Sequence, residues 1–117
     1  MSSSDKSVLK VYTSSTDKLG TKLLYEAVVF IAREKGIAGV TVYRGIMGYG
    51  LSSHISSSRY WELTEKLPVT IEIIDDTKIL TEFYRFLEPL LLRTLKGILI
   101  TIEPVKILLH KSGERPT

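Results

Sequence analysis

Residues 39–60 read Gly39-Val-Thr-Val-Tyr-Arg-Gly-Ile-Met-Gly-Tyr-Gly-Leu-Ser-Ser-His-Ile-Ser-Ser-Ser-Arg-Tyr60, and four of the chain's eight glycines, Gly39, Gly45, Gly48 and Gly50, fall inside them. The stretch opens as a β-strand over Gly39 to Ile46, with Thr41 and Tyr43 alternating against Val40, Val42 and Arg44. It then dissolves into a glycine- and serine-rich loop. Trp61 to Lys66 reads as a short helical turn or a strand extension. Pro68 opens the next strand, a place where its missing N–H does little harm. Two strands therefore follow one another across a long loop, while amphipathic helices stand on either side of the pair. That order decides the fold.

Upstream, Val8 to Thr13 is a short strand of mostly β-favouring residues. Ser14 to Lys18 is a polar turn. A helix is expected over Lys22 to Lys35, where Leu24, Ala27, Val28, Ile31 and Ala32 recur at helical spacing and Leu23 and Phe30 widen the stripe. Gly36 follows as a C-cap able to take positive φ. Downstream, Val69 to Ile74 alternates cleanly, with Val69, Ile71 and Ile73 on one face and Thr70 and Glu72 on the other. Asp75-Asp76-Thr77 reads as a helix N-cap cluster rather than a metal site. The second helix is expected over Lys78 to Arg93, with Leu80, Phe83, Leu87, Leu90 and Leu91 as its core face and a kink or break at Pro89. Gly97 starts a strand over Ile98 to Ile102. Glu103-Pro104 interrupts it, and Val105 to Leu109 resumes as an edge segment or fifth strand.

The order is β-α-β-β-α-β, an α+β ferredoxin-like sandwich with an antiparallel four-stranded sheet and two helices on one face. Residues 1–7 are expected to be disordered, 8–110 to form the single domain and 111–117 to be a polar tail. Thr41, Tyr43, Thr70, Glu72 and Thr101 make the other sheet face semi-polar, as suits packing against other subunits.

The 117 residues, 44% hydrophobic and 25% charged, suit one domain with its own core. With no cysteine, disulfides, thiol catalysis and Cys-ligated metals are excluded. His54 and His110 are the only histidines, too few for a self-contained His-rich metal site. The net charge of +3 is spread along the chain, which argues for a small anionic ligand and against nucleic acid. No apolar run spans a membrane and no signal-peptide core is visible, so a cytoplasmic location is expected.

The loop carries the chemistry. Backbone N–H groups bared by glycines can cradle an anion. Tyr43, Arg44, Gly45, Gly48, Tyr49, Gly50, Ser52 and Arg59 are the candidate ligand-binding residues, with Lys66 adding charge. Arg44 pairs either with a ligand phosphate or with Glu72 or Glu62. His54 reads as a solvated loop histidine, and Trp61 as an anchor for the loop base. No Ser-His-Asp order, Walker loop or paired acids appear, so no enzyme is expected.

Gly39-Val-Thr-Val-Tyr-Arg-Gly-Ile-Met-Gly-Tyr-Gly50, preceded by Leu24-Tyr-Glu-Ala27 and followed by Leu67-Pro-Val-Thr-Ile-Glu-Ile-Ile-Asp75, resembles the PII-like proteins of the uncharacterised "domain of unknown function" group. The resemblance covers about Val8 to Leu109. Through it the chain is similar to the nitrogen-regulatory PII signalling proteins, ferredoxin-like trimers that hold ATP or ADP between subunits. The resemblance implies a homotrimer and a flexible T-loop-like segment over 48–66 that signals to a partner, with a membrane transporter or channel as a possible partner. Gly48-Tyr-Gly50 stands where PII has Gly-Phe-Gly, and Ser52 where some PII proteins coordinate metal through a glutamine. Where PII has a second glycine-rich phosphate loop, this chain keeps Gly97 with Lys96 beside it. Lys111 stands at one of the phosphate-contacting basic positions near the end of the chain, and Leu109 at the other. The cofactor implied is ATP, ADP or AMP. The alternative is a trimeric divalent-metal-binding protein of the ion-tolerance type, which shares the architecture.

Overall fold

The computed structural model of the chain describes residues 5–49, 56–57 and 66–114. In order, the elements are β1 (Lys6–Ser14), β2 (Lys18–Leu19), β3 (Lys22–Leu23), α1 (Leu24–Glu34), β4 (Val40–Arg44), β5 (Met47–Gly48), β6 (Ser56–Ser57), β7 (Pro68–Asp76), α2 (Thr77–Leu91) and β8 (Leu99–Val105). The main sheet has the order β4-β7-β1-β8, with every pair antiparallel. Both helices lie on one face, as the periodicities require.

The register assigns each side chain to a face. Leu9 sits opposite Ile73 and Ile102, Val11 opposite Ile71 and Ile100, and Val42 opposite Ile71. Leu9, Val11, Ile71 and Ile73 meet Leu24, Val28, Ala32, Leu80, Phe83, Leu87 and Leu91 in the core, with Ile100 packed against it, while Val42 and Ile102 at the edges stay exposed. Each fully buried aliphatic side chain there contributes roughly 1.5–3 kcal/mol relative to exposure. The opposite face carries Thr41, Tyr43, Thr70, Glu72 and Thr101, as anticipated, together with Tyr12, Ile74 and Leu99. Tyr12, Tyr43, Ile74 and Leu99 all reach solvent there.

Several boundaries differ from the sequence reading, each for a physical reason. β1 begins at Lys6, inside the segment expected to be disordered, because the ladder continues to Lys6 opposite Asp76 and their side chains form an ion pair. α1 begins at Leu24 because Lys18–Leu19 and Lys22–Leu23 pair into a small hairpin turned at Gly20, whose φ is 68°. Gly36 terminates α1 with φ 78°, as its position predicts. Phe30 points away from the core and is 58% exposed. α2 continues through Pro89 to Leu91, so the proline sits in its last turn. β8 runs unbroken through Glu103-Pro104, because β8 is an edge strand and pairs on one side only. No further strand follows it: residues 106–114 are irregular.

Asp75 and Asp76 do not cap α2 with their side chains. The Asp75 carboxylate accepts the N–H groups of Ala38 at 2.9 Å and Asp76 at 2.7 Å. Asp76 takes the Lys6 ammonium. The Thr77 N–H donates to the Asp5 carbonyl at 2.9 Å.

Candidate functional site

The topology gathers chain ends at the two ends of the sheet. At one, β1 and β4 finish, β7 and β8 begin, α1 starts and α2 stops. This is where the glycine-rich loop leaves the fold, and it is called the loop end below. At the other, β1 and β4 begin, and β7 and β8 finish.

The base of the loop is clamped to Pro68. Gly45 donates its N–H to the Pro68 carbonyl at 2.7 Å, extending the β4–β7 ladder by one rung. A Cβ on Gly45 would stand 2.8 Å from the Pro68 Cγ, so only glycine fits there. At Gly48 the same ring is 3.4 Å from the position of a Cβ. Among the described glycines only Gly20 and Gly36 have positive φ. Gly45 and Gly48 therefore lack the backbone alternation that makes an anion nest, and the glycine at 45 is explained by close approach. Beyond Gly45, Met47–Gly48 pairs with Ser56–Ser57 as a two-rung ladder.

Tyr43 and Arg44 project to opposite faces of the sheet. Tyr43 shares its face with Thr70 and Glu72 and donates its hydroxyl to Glu72 Oε1 at 3.4 Å. Arg44 sits opposite Val69 on the helix side, is exposed, and joins no ion pair among the described residues. No Arg44–Glu72 bridge is present, and Glu62, the other acid considered as its partner, lies outside the described residues. Tyr49 is 74% exposed beside it in the chain. Gly50, Ser52, Arg59, His54, Tyr60 and Trp61 lie outside the described residues.

The remaining candidates are distributed unevenly. Lys96 and Gly97 lead into β8 at the loop end. They stand at the opposite edge from β4, three strand spacings or about 14 Å across the sheet. β8 carries the chain from Leu99, opposite Tyr12, to Val105, opposite Lys6, about 20 Å along the strand. Lys111 lies in the irregular segment that follows. Within one chain the structure brings Arg44, Gly45 and Gly48 together. It places Lys96 and Gly97 at the same end, while the chain leaves β8 at the other end six residues before Lys111.

One polar cluster escaped the sequence reading. Asp17 is buried in what read as a plain polar turn. Its Oδ2 accepts the Thr13 hydroxyl at 2.6 Å and the Ser14 N–H at 3.1 Å. Its carbonyl accepts the Leu24 N–H at 2.8 Å, fixing the start of α1. Next to it Ser15 donates its N–H to the Leu67 carbonyl at 2.8 Å and accepts the Leu67 N–H on Oγ at 3.0 Å. Asp17 therefore ties β1 to α1, and Ser15 ties β1 to the residue that closes the loop. Asp17 Oδ1 and Ser14 Oγ are buried without a protein partner. The only available signal was the run Thr-Ser-Ser-Thr-Asp at residues 13–17, which looks the same in a solvated turn.

Comparison with known proteins places this architecture. The DUF190 profile (uncharacterized ACR) matches residues 6–107. This chain belongs to the DUF190 family. A UPF0166 protein of Aquifex aeolicus (strain VF5) is 34% identical over 103 residues, covering 88% of this chain and 93% of that one. Among solved structures, the fold is that of CPII, a nitrogen regulatory PII-like protein from Thiomonas intermedia K12 bound to ADP, AMP and bicarbonate. The TM-score is 0.59 at 12% identity, over 86% of this chain and 88% of that one. The divalent ion tolerance protein CutA1 from Ehrlichia chaffeensis shares the fold with a TM-score of 0.57 at 13% identity, over 92% and 88%. The DUF190 chain thus shares the fold of PII-like proteins, as the glycine-rich stretch suggested. No helix among the described residues is long and apolar enough to cross a membrane.

Proposed function

We propose that this DUF190 protein is a PII-like regulator, not an enzyme, that binds a small anionic ligand, an adenine nucleotide, between subunits of a homotrimer. The observation that carries the reading is Arg44: an exposed side chain without an ion-pair partner among the described residues, at the base of the glycine-rich loop, in a fold shared with a PII-like protein bound to ADP, AMP and bicarbonate. The intersubunit placement rests on the resemblance to the PII proteins. The segment over 48–66 would carry the ligand state to a partner, a membrane transporter or channel.

Thermal shift with ATP, ADP and AMP tests the ligand, because a ligand that binds only the folded state raises the melting temperature. Adenine nucleotides should stabilise the protein, and Arg44→Ala should weaken binding about tenfold by removing a charge-assisted contact. Native mass spectrometry should show three copies with and without the substitution. No shift at saturating nucleotide would sink the nucleotide reading. A shift with copper or zinc instead would favour the second reading, a divalent-metal-binding trimer, which rests on the likeness to CutA1.

A further inference from the structure

The two ends of the sheet differ in charge in a way the linear sequence hides. At the loop end the described residues expose Lys18, Lys22, Arg44, Lys66, Arg93 and Lys96. Among the described residues the acids there are fewer: Asp17 is buried, Glu26 is exposed, and Glu88 accepts a hydrogen bond from the Tyr84 hydroxyl at 2.6 Å. The same end holds large apolar side chains in water. Leu92 is 77% exposed, Leu95 fully so, and Ile46 is 78% exposed at the opposite edge.

The turn after α2 produces this surface. Arg93 and Thr94 donate their N–H groups to the carbonyls of Leu90 and Leu91, which tightens the chain as the helix ends. The Thr94 hydroxyl folds back onto the Leu91 carbonyl at 3.1 Å. Thr94 is thereby held half-buried, and Leu92, Arg93, Leu95 and Lys96 are turned outward. Single exposed leucines are ordinary, but two on one ordered turn, among cations that join no ion pair among the described residues, mark an interaction surface.

We propose that the loop end is a docking surface for an anionic lipid membrane, with Leu92 and Leu95 entering the headgroup layer and Lys18, Lys22, Lys66 and Arg93 held against lipid phosphates. Basic surfaces with projecting apolar side chains bind in this way, and the two contributions act together. Charge decides between occupants. A second copy presenting the same end would set cations against cations. An acidic protein segment would satisfy the cations without calling for two leucines in open water. The proposal does not rest on nucleotide binding, and Leu92, Arg93 and Leu95 stand outside the candidate ligand set.

Co-sedimentation of the full chain with vesicles tests it, using phosphatidylcholine alone and phosphatidylcholine mixed with phosphatidylglycerol, at low and high salt. Binding should require the anionic lipid and fall with salt. The double variant Leu92→Gln, Leu95→Gln should bind about tenfold less or weaker still, because two apolar contacts are lost. Arg93→Gln should bind a few-fold less. Melting temperature and native mass should match those of the parent protein. The proposal is overturned by absence of binding to anionic vesicles at low salt, or by leucine-independent binding. A changed oligomeric mass in the double variant would overturn it by showing that the leucines pack between copies. Leucine-dependent capture by soluble polyglutamate as strong as by vesicles would assign the surface to an acidic protein instead.

Discussion

At the end of the sheet where β1 begins, polar groups find one another: Lys6 pairs with Asp76, Asp75 receives the Ala38 N–H, and the Ser7 and Thr77 hydroxyls meet at 2.5 Å. At the loop end the pattern reverses. The backbone junction is tied tightly inside, through Asp17, Ser15 and Gly45, while the cations around it join no ion pair among the described residues. One end closes the fold with exposed or half-exposed pairs. The other closes it with buried ties and keeps its surface charge free. The surface left unpaired is the surface available to a ligand or partner, and the buried ties are what hold it in place.

The largest test of this contrast compares two aspartates. Asp17→Ala should cost about 2–3 kcal/mol, since the Thr13 hydroxyl and the Ser14 N–H lose a buried charged acceptor. Asp75→Ala also removes an acceptor of two N–H groups, but Asp75 is only partly buried, and the loss should be nearer 1 kcal/mol. Urea midpoints at unchanged slope measure both. Equal losses would show that the two ends depend on their carboxylates alike.

A pair of glycines sharpens the comparison at lower amplitude. Gly45→Val forces a branched side chain into the Pro68 ring and should cost about 2 kcal/mol. Gly39, just before β4 at the other end, has open space around it and no positive φ, so Gly39→Ala should stay within about 0.5 kcal/mol of the parent. If Gly45→Val were neutral by calorimetry, the loop base would be looser than its contact with Pro68 implies.

How much of this was legible in the sequence follows the range of the interactions. The β-α-β-β-α-β order, the faces of both helices and the alternation of Val69 to Ile74 were readable because period and spacing are local. The gathering of Arg44, Gly45 and Gly48 at a loop base was readable for the same reason. The role of Asp17 was not, because a buried tie and a solvated turn share one composition. Asp75 and Asp76 looked like helix caps, but their partners lie 37 and 70 residues away in the chain. The concentration of cations at one end was hidden because Lys18, Lys66 and Lys96 become neighbours only when the topology is known. Gly45 was legible as important, but for the wrong reason: Pro68 requires it, and its φ makes no nest.

The smallest expected effect concerns the paired end alone. The Asp76 carboxylate, mainly through its hydrogen bond, holds the Lys6 ammonium above the ordinary lysine value of 10.5. A raised folded value means that the charged form is favoured by folding. The stabilisation is therefore present in full below 10.5 and is lost as the pH rises through the folded value. Lys6 is half-exposed, so solvent screens the pair and the effect on melting temperature should be slight. Tyr84 is shifted in the same direction by Glu88, so the parent protein alone cannot separate the two. The difference between the parent and Lys6→Met can, because Tyr84 is common to both. That difference should be constant from neutral pH to the onset of lysine titration and then vanish. If it persisted into strong alkali, Lys6 would be holding the end of β1 by its methylene stem rather than by its charge, and the paired end would owe its closure to packing.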